Sequence, residues 1–539
     1  MSTLAAALYD TLRRRQPAAA GVDPALLQPL IAALIEALEQ GELGLDLRQA
    51  VAVLPEGCLE ALAASGWMVE ARGLSDPASE ADAWPDSVLL VRDGPWLRWR
   101  RWQEQLQRCL SDVIARAATA LTPAPSAGAL KTVLATAAAA GLDAQQLAAT
   151  QTLLQRQLVL LLGGPGTGKT STVARMLEAA LAIEPQLRVQ LAAPTGKAAA
   201  RLGAALNGAQ PLPCSTLHRL LEARGSNRFG RDARRPLELD LLVVDELSMV
   251  DLPLMRALLS ALPPTARLLL VGDAGQLPPV GTGAVLEELC RPACREQLGS
   301  AVVELTTTYR NNGAIAAVAS ALRQPQPSGI EPLEALRPQL EQLPPGANLQ
   351  WLEAPLPQLP TAVLQPLREQ QQRLRDLSQG LRWQGEQLHP DDSAALLEAL
   401  EERIALSPLR QGPWGVEALH RALLGAALGA PLERWPLGTP VLNRLNRPEQ
   451  ELANGDIGVL VEREGQRLVW MSSGRLLHPA RLAGAEPALA LTVHKAQGSQ
   501  YGEVLLLLPP SRHSDPRLLY TGLTRARRRV LLVTPLQST

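Results

Sequence analysis

The order of apolar runs predicts an α/β protein built on parallel sheets, and three observations carry that prediction. QLVLLL, VQLAAPT, LDLLVVDE and ARLLLVGD each end in a polar or Gly-rich turn and lead into a helical pattern. Parallel strands covered on both faces read this way. The glycine-rich turn GGPGTGKT lies between one such strand and the helical stretch TSTVARMLEAAL. Two further core-type strands, EVLLLLP and RVLLVTP, close the chain and ask for a second sheet.

The chain has 539 residues, room for roughly three to four domains of ~100–200 residues each. Aromatics are 3% with a single Phe, so Leu, Ala and Val must build the core. Lys and Arg number 52 against 53 Asp and Glu, a net charge of −1. That balance excludes a polycationic nucleic-acid tail but leaves local basic patches open. Five cysteines without framework spacing point to reduced thiols and a cytoplasmic setting. No apolar run reaches the ~18–20 residues a bilayer requires, so no membrane partner is expected. The N-terminal MSTLAAALYDTLRRRQ carries its charges after the apolar stretch, unlike a secretory signal.

Taken in order, residues 1–115 are expected to form a helical N-terminal domain. LLQPLIAALIEALEQG has helical spacing and stops at Gly41. In WLRWRRWQEQLQRCL the same spacing puts Trp96, Trp99 and Trp102 on one helical face. Such a stripe is chiefly a packing surface, with stacking on nucleic acid the lesser reading. LTPAPSAGA at 121–129 is a linker, and the first sheet domain is expected over 130–322. A second occupies 323–539, beginning with a Pro- and Gln-rich connection and carrying a small β insertion at about 436–482.

The chemistry starts at Gly163, Gly164, Pro165, Gly166, Thr167, Gly168, Lys169 and Thr170. Strand before and helix after are the context a phosphate-binding loop needs. Its amides point at negative charge, Lys169 reaches the β and γ phosphates, and the Thr170 hydroxyl can ligate Mg²⁺. A metal-side carboxylate belongs on a neighbouring strand end, where LLVVDE supplies Asp245 for the ion and Glu246 to polarise attacking water. Gln276 in VGDAGQLPPVG lies past another strand end, placed to sense the γ-phosphate. Arg310 in TTTYRNN and Arg525 in YTGLTRARRR could neutralise charge that the loop alone leaves, work worth ~10³–10⁵ in rate. Arg224, Arg228, Arg231, Arg234 and Arg235 form a basic run that is either a solvated face or a phosphate contact. Cys290 with Cys294, and Cys214 with His218, are spaced by four but lack a second ligand pair, so no zinc site is expected.

GGPGTGKT, APTGKAAARL, STLHRLL, VVDELSMVD, VGDAGQLPPVG, YRNN, LTVHKAQGSQYGEV and YTGLTRAR resemble, in order, the motifs of superfamily 1 DNA helicases, and among them most of all the RecD family. DGPWLRWRRWQEQL resembles the strand-to-helix segment ahead of that family's motor, and SPLRQGPWGVEALH and LANGDIGVL resemble its second motor domain and SH3-like insertion. The resemblance covers most of residues 90–535. It implies two RecA-like motor domains and an ATP- and Mg²⁺-dependent 5′→3′ translocase. It also implies a place in a RecBCD-type helicase–nuclease (exodeoxyribonuclease V) that processes DNA ends for recombinational repair. RecB-like and RecC-like subunits are the partners so implied, with the N-terminal region docking on the RecC-like one and the nuclease on the RecB-like one. A standalone RecD-like helicase and a structural subunit with a decayed motor are the competing readings. By the same resemblance Gln146 reads adenine, with Gln145 and Gln151 as rivals, and Ser171 completes the nucleotide loop. Thr195, Lys197, Thr216 and His218 track single-stranded DNA from the first motor domain, and Thr492, His494, Lys495, Gln497 and Ser499 from the second. Ala496 and Gln500 depart from the family pattern, as does the lack of an aromatic after Arg310.

Overall fold

The computed structural model describes residues 3–39, 41–50, 53–71, 88–206, 212–225, 227–307, 313–324, 331–445, 452–509 and 515–536. Two parallel sheets dominate. The first has six strands in the order Val302–Leu305, Leu158–Gly163, Arg267–Gly272, Leu241–Val244, Val189–Ala193 and Cys214–Thr216. Every pairing in it is parallel. The central strands are buried on both faces, which explains their unbroken Leu/Val runs. Leu160, Leu162, Leu242 and Leu268 face one layer of helices, and Val159, Leu161, Val243 and Leu269 face the other.

The second sheet has five strands, also all parallel: Leu349–Ala354, Ala526–Pro535, Tyr501–Leu507, Arg403–Ser407 and Ala490–Thr492. The helix Ala314–Arg323 contributes Ile315, Val318 and Leu322 to this sheet's core. The second unit therefore begins by residue 314, ahead of the expected 323. Along the chain, a five-stranded antiparallel module is inserted between Arg403–Ser407 and Ala490–Thr492. It comprises Leu476–Leu477, Gln466–Met471, Ile457–Arg463, Pro440–Leu442 and Glu486–Pro487. One face has its own core around Trp435, Leu460 and Met471; the other packs Val459, Val461 and Trp470 on the helices Thr361–Gln379 and Pro390–Glu402.

The N-terminal region differs from the expected helical domain in carrying a sheet of its own. The helices Thr3–Arg15, Pro24–Glu39 and Cys58–Ala64 pack on a four-stranded sheet of Gly44–Asp46, Trp96–Trp99, Leu90–Asp93 and Met68–Glu70. The tryptophan stripe is split accordingly. Trp96 and Trp99 lie on a strand, and only Trp102 is on the helix Arg100–Ala118. The physical reason is the turn. Asp93 pairs with Trp96 across Gly94-Pro95, with Gly94 at φ 57°. A glycine at the first central position of a two-residue turn closes a hairpin, so the residues from Trp96 to Trp99 return as its second strand and the helix starts only at Arg100. Trp96 ends up under the Arg291 guanidinium, 4.2 Å from its centroid, while Trp102 packs on the core of the first sheet.

The module is joined firmly to the motor. Arg98, fully buried, pairs with Glu288 at 3.0 Å and with Asp93 at 3.1 Å. The Gly283 amide donates to the Gly41 carbonyl, and Leu43 enters the core of the first sheet domain. Arg517 of the second domain reaches both Glu287 and Glu42. No helix among the described residues is long and apolar enough to cross a membrane.

Candidate nucleotide and nucleic-acid site

The strand Leu158–Gly163 delivers the chain into the glycine turn, and the helix Lys169–Ile183 leaves it. Gly166 and Gly168 stand at φ 75° and 79°, so L side chains are disfavoured there. At Gly163 the requirement is space: a Cβ would come within 2.5 Å of Thr167 Oγ1. The Lys169 ammonium donates to the carbonyls of Gly163 (2.6 Å) and Gly164 (3.0 Å), which fixes it over the mouth of the loop. Thr167 donates to Gly164 O, and Ser171 to Gly168 O. The Thr170 hydroxyl, by contrast, makes no hydrogen bond among the described residues. It stands in the first helical turn, where positive dipole and free amides gather.

Asp245 ends the strand Leu241–Val244, and its Oδ1 accepts the Glu246 amide at 2.9 Å. Enclosure by protein, then the neighbouring Glu246 carboxylate, push its pKa up to about 6; Arg201 and Lys169 work against that rise. Glu246 adopts φ 54°, a left-handed conformation costing a non-glycine residue on the order of 1 kcal/mol or more. That backbone aims its carboxylate at Arg201, 3.9 Å away. Gln276 is buried, its Nε2 donating to Asp273 Oδ2 at 3.3 Å, while its Oε1 has no partner among the described residues.

The second domain closes over this set. Arg525 is buried and held by its own domain, donating to Thr521 O, Ser499 O and Thr524 Oγ1 at 3.1–3.4 Å. Burial lowers its pKa, and Glu246 opposes that as the leading charge acting on it. Tyr520 donates its phenol to Asp273 Oδ2 at 2.9 Å. Gln497 donates to Leu277 O at 2.9 Å, and the Leu277 amide to Thr521 Oγ1. Arg201 reaches Gly498 O at 3.4 Å, and a Cβ on Gly498 would sit 3.2 Å from Thr195 Oγ1. The structure thus brings Lys169, Asp245, Glu246, Gln276, Arg525, Gln497 and Ser499 to one interdomain cleft. Arg310 lies outside the described residues.

The remaining predicted residues are engaged elsewhere. Gln146 completes a capping box with Asp143 at the start of the helix Ala144–Gln155, its side-chain oxygen accepting the Asp143 amide. Gln145 instead bonds Thr306 at the end of the strand Val302–Leu305. Lys197 lies over the Tyr501 ring at 4.8 Å, across the cleft. Thr216 caps the short helix Leu217–Leu220, and His218 sits 6.4 Å from Phe229. Thr492 accepts the Lys495 amide; Lys495, like Arg410 and Arg444, pairs with Glu486. His494 lies in the turn between them. In the basic run, Arg231 and Arg235 are tied to Glu222. Arg201, Asp273 and Tyr520 were not singled out from sequence, although each lies inside a quoted motif; what identifies them is who faces them across the cleft.

An AAA domain matches residues 145–282, and a UvrD-like helicase C-terminal domain matches 487–533. The RecBCD enzyme subunit RecD of Mycolicibacterium smegmatis is 36% identical over 540 residues, covering 93% of this chain and 88% of that one. That of Haemophilus influenzae is 30% identical, covering 71% and 67%. The ATP-dependent RecD2 DNA helicase of Deinococcus radiodurans is 33% identical, covering 77% of this chain and 52% of its own. Among solved structures, a Pif1 helicase from work on forked duplex DNA aligns with 74% of this chain and 92% of its own at TM-score 0.43 and 19% identity. Full-length identity at this level settles the family: the chain belongs to the RecD family and is an ATP-dependent DNA helicase motor of superfamily 1.

Proposed function

We propose that this chain is the 5′→3′ motor subunit of a RecBCD-type helicase–nuclease, working in the cytoplasm on the single strand at a duplex end. The observation that carries the reading is the cross-cleft closure: Arg525, Gln497 and Thr521 of one domain meet the Glu246 and Gln276–Leu277 side of the other. ATP would lie between them, so hydrolysis and domain movement become one event. Lys169 and the loop amides orient the terminal phosphates. Glu246, held by its left-handed backbone, aligns and accepts a proton from the attacking water. Arg525, pinned by three acceptors, presents fixed positive charge where negative charge develops.

The free Thr170 hydroxyl and the enclosed Asp245 carboxylate fit Mg²⁺: a hard cation takes oxygen ligands, and it would favour the ionised form that enclosure disfavours. Held by these two groups, the ion would offset the charge of the nucleotide phosphates. Thr195, Lys197, Thr492 and Lys495 would serve as the strand-tracking groups of the two domains. The 36% identity to a RecD subunit over 93% of this chain, against 33% to RecD2 over 77%, supports the subunit reading over the standalone helicase. RecB-like and RecC-like subunits would then be the partners, the nuclease residing on the former.

Polarity rests on family analogy. It is tested by unwinding of 5′- and 3′-tailed duplexes with the purified full chain, preference for the 3′ tail refuting it. Co-expression with RecB-like and RecC-like subunits tests the assembly; recovery of the chain free of both would refute that part.

A further inference from the structure

Arg323 ends the helix Ala314–Arg323, whose apolar face belongs to the second domain's core, yet its side chain lies against the first domain. A Cβ placed on Gly164 of the phosphate loop would be 3.3 Å from Arg323 Nη1, and one on Gly275 would be 3.3 Å from its Cγ. The arm therefore runs in a channel floored by two glycines, both at ordinary negative or extended φ. There the missing side chain serves space and not backbone conformation. Tyr520 fills the channel's other side, 3.2 Å and 3.1 Å from the same two positions.

The guanidinium has one anchor. Nη2 pairs with Glu304 Oε1 at 3.1 Å, but the other oxygen of Glu304 is taken by Arg295 at 2.7 Å. One carboxylate shared by two arginines leaves a surplus positive charge. Nη1 has no hydrogen-bond partner among the described residues. It faces the same Gly163–Gly164 segment whose carbonyls hold the Lys169 ammonium. A solvent-accessible fork of N–H donors with unspent charge, beside a loop built for phosphate, is matched to an anionic oxygen.

We propose that Arg323 is a further nucleotide-contacting arginine of this motor, gripping the terminal phosphate oxygens of ATP from the second domain. The inference rests on the reading that the loop at 163–170 binds ATP. It makes Arg323 a reporter of the third phosphate and thereby of domain closure.

The test uses the full chain with single-stranded DNA present. Steady-state ATPase and competition of ATP and ADP against a fluorescent ATP analogue are measured for Arg323→Ala, Arg323→Lys, Glu304→Gln and Lys169→Gln. Arg323→Ala should lower kcat by ~10-fold or more and shrink the preference for ATP over ADP. Arg323→Lys should recover part of this, because a point charge replaces the planar fork. Glu304→Gln, which loosens the anchor and keeps the phosphate contact, should fall well short of Arg323→Ala in both readouts. Three results overturn the proposal. One is Arg323→Ala indistinguishable from the parent in both readouts while Lys169→Gln is inactive. A second is Glu304→Gln as damaging as Arg323→Ala, which would make the ion pair the residue's whole role. Undiminished turnover in Lys169→Gln would remove the underlying ATP-site reading itself.

Discussion

The two sides of the interdomain cleft use their residues differently. On the proposed nucleotide side three of the charged groups are held mainly by main chain: Lys169 by two loop carbonyls, Asp245 by an amide, Arg525 by two carbonyls and one hydroxyl. On the side proposed to track the strand, the charged groups are held by other side chains, Lys197 by the Tyr501 ring and Lys495 by Glu486. A phosphate that must be gripped identically in each cycle is met by rigid backbone. A strand that must be taken and released is met by side chains with a partner to return to. The contrast teaches that catalytic precision and processive contact draw on different parts of the polypeptide.

The strongest way to break this comparison is at the loop. Lys169→Gln should leave the far-ultraviolet circular dichroism unchanged while ATPase falls by ~10³-fold or more, because no core contact is lost. Near-normal turnover would remove the nucleotide side altogether. Arg525→Ala comes next. We expect kcat to fall ~10²–10⁵-fold with nucleotide affinity changed only modestly, and a loss confined to affinity would reassign the residue. Tyr520→Phe deletes one cross-cleft hydrogen bond to Asp273 without changing shape. It should cost ~10-fold in DNA-stimulated ATPase, in keeping with a bond to a charged group worth about 1.5–3 kcal/mol; an unchanged rate would mean that the closure does not run through this pair. The smallest effect belongs to Lys495→Ala. Single-strand affinity should drop a few-fold with a salt slope reduced by roughly 0.7. A variant with normal affinity but lower kcat would move Lys495 to the nucleotide side and blur the distinction.

The sheets were legible from sequence because their strands are buried on both faces and read as unbroken runs. The phosphate loop was legible because its function is its backbone. The N-terminal sheet was not, for two reasons. Its strands, such as Gly44–Asp46 and Met68–Glu70, span three residues, too few for a period to register. Trp96, Trp99 and Trp102 also happen to repeat every three residues across a strand-to-helix junction. Tyr520 was visible as a letter in YTGLTRAR, but its partner Asp273 lies 247 positions earlier, and no local pattern announces such a pairing. The start of the second domain was placed late for a similar reason. Ala314–Arg323 is an ordinary amphipathic helix whose membership depends on which sheet it covers.

The strand Trp96–Trp99 runs straight into the helix Arg100–Ala118, and the two lie in different cores: Leu97 beneath the N-terminal helices, Leu106 and Leu110 beneath the first motor sheet. Module and motor thus share a wall. A protease cut near residue 90 would strand two paired segments on opposite fragments and leave open sheet edges prone to adventitious pairing. The piece before residue 100 is therefore a limb of the motor's cooperative unit. In calorimetry it should melt together with the first sheet domain, as one transition instead of a shoulder that precedes it.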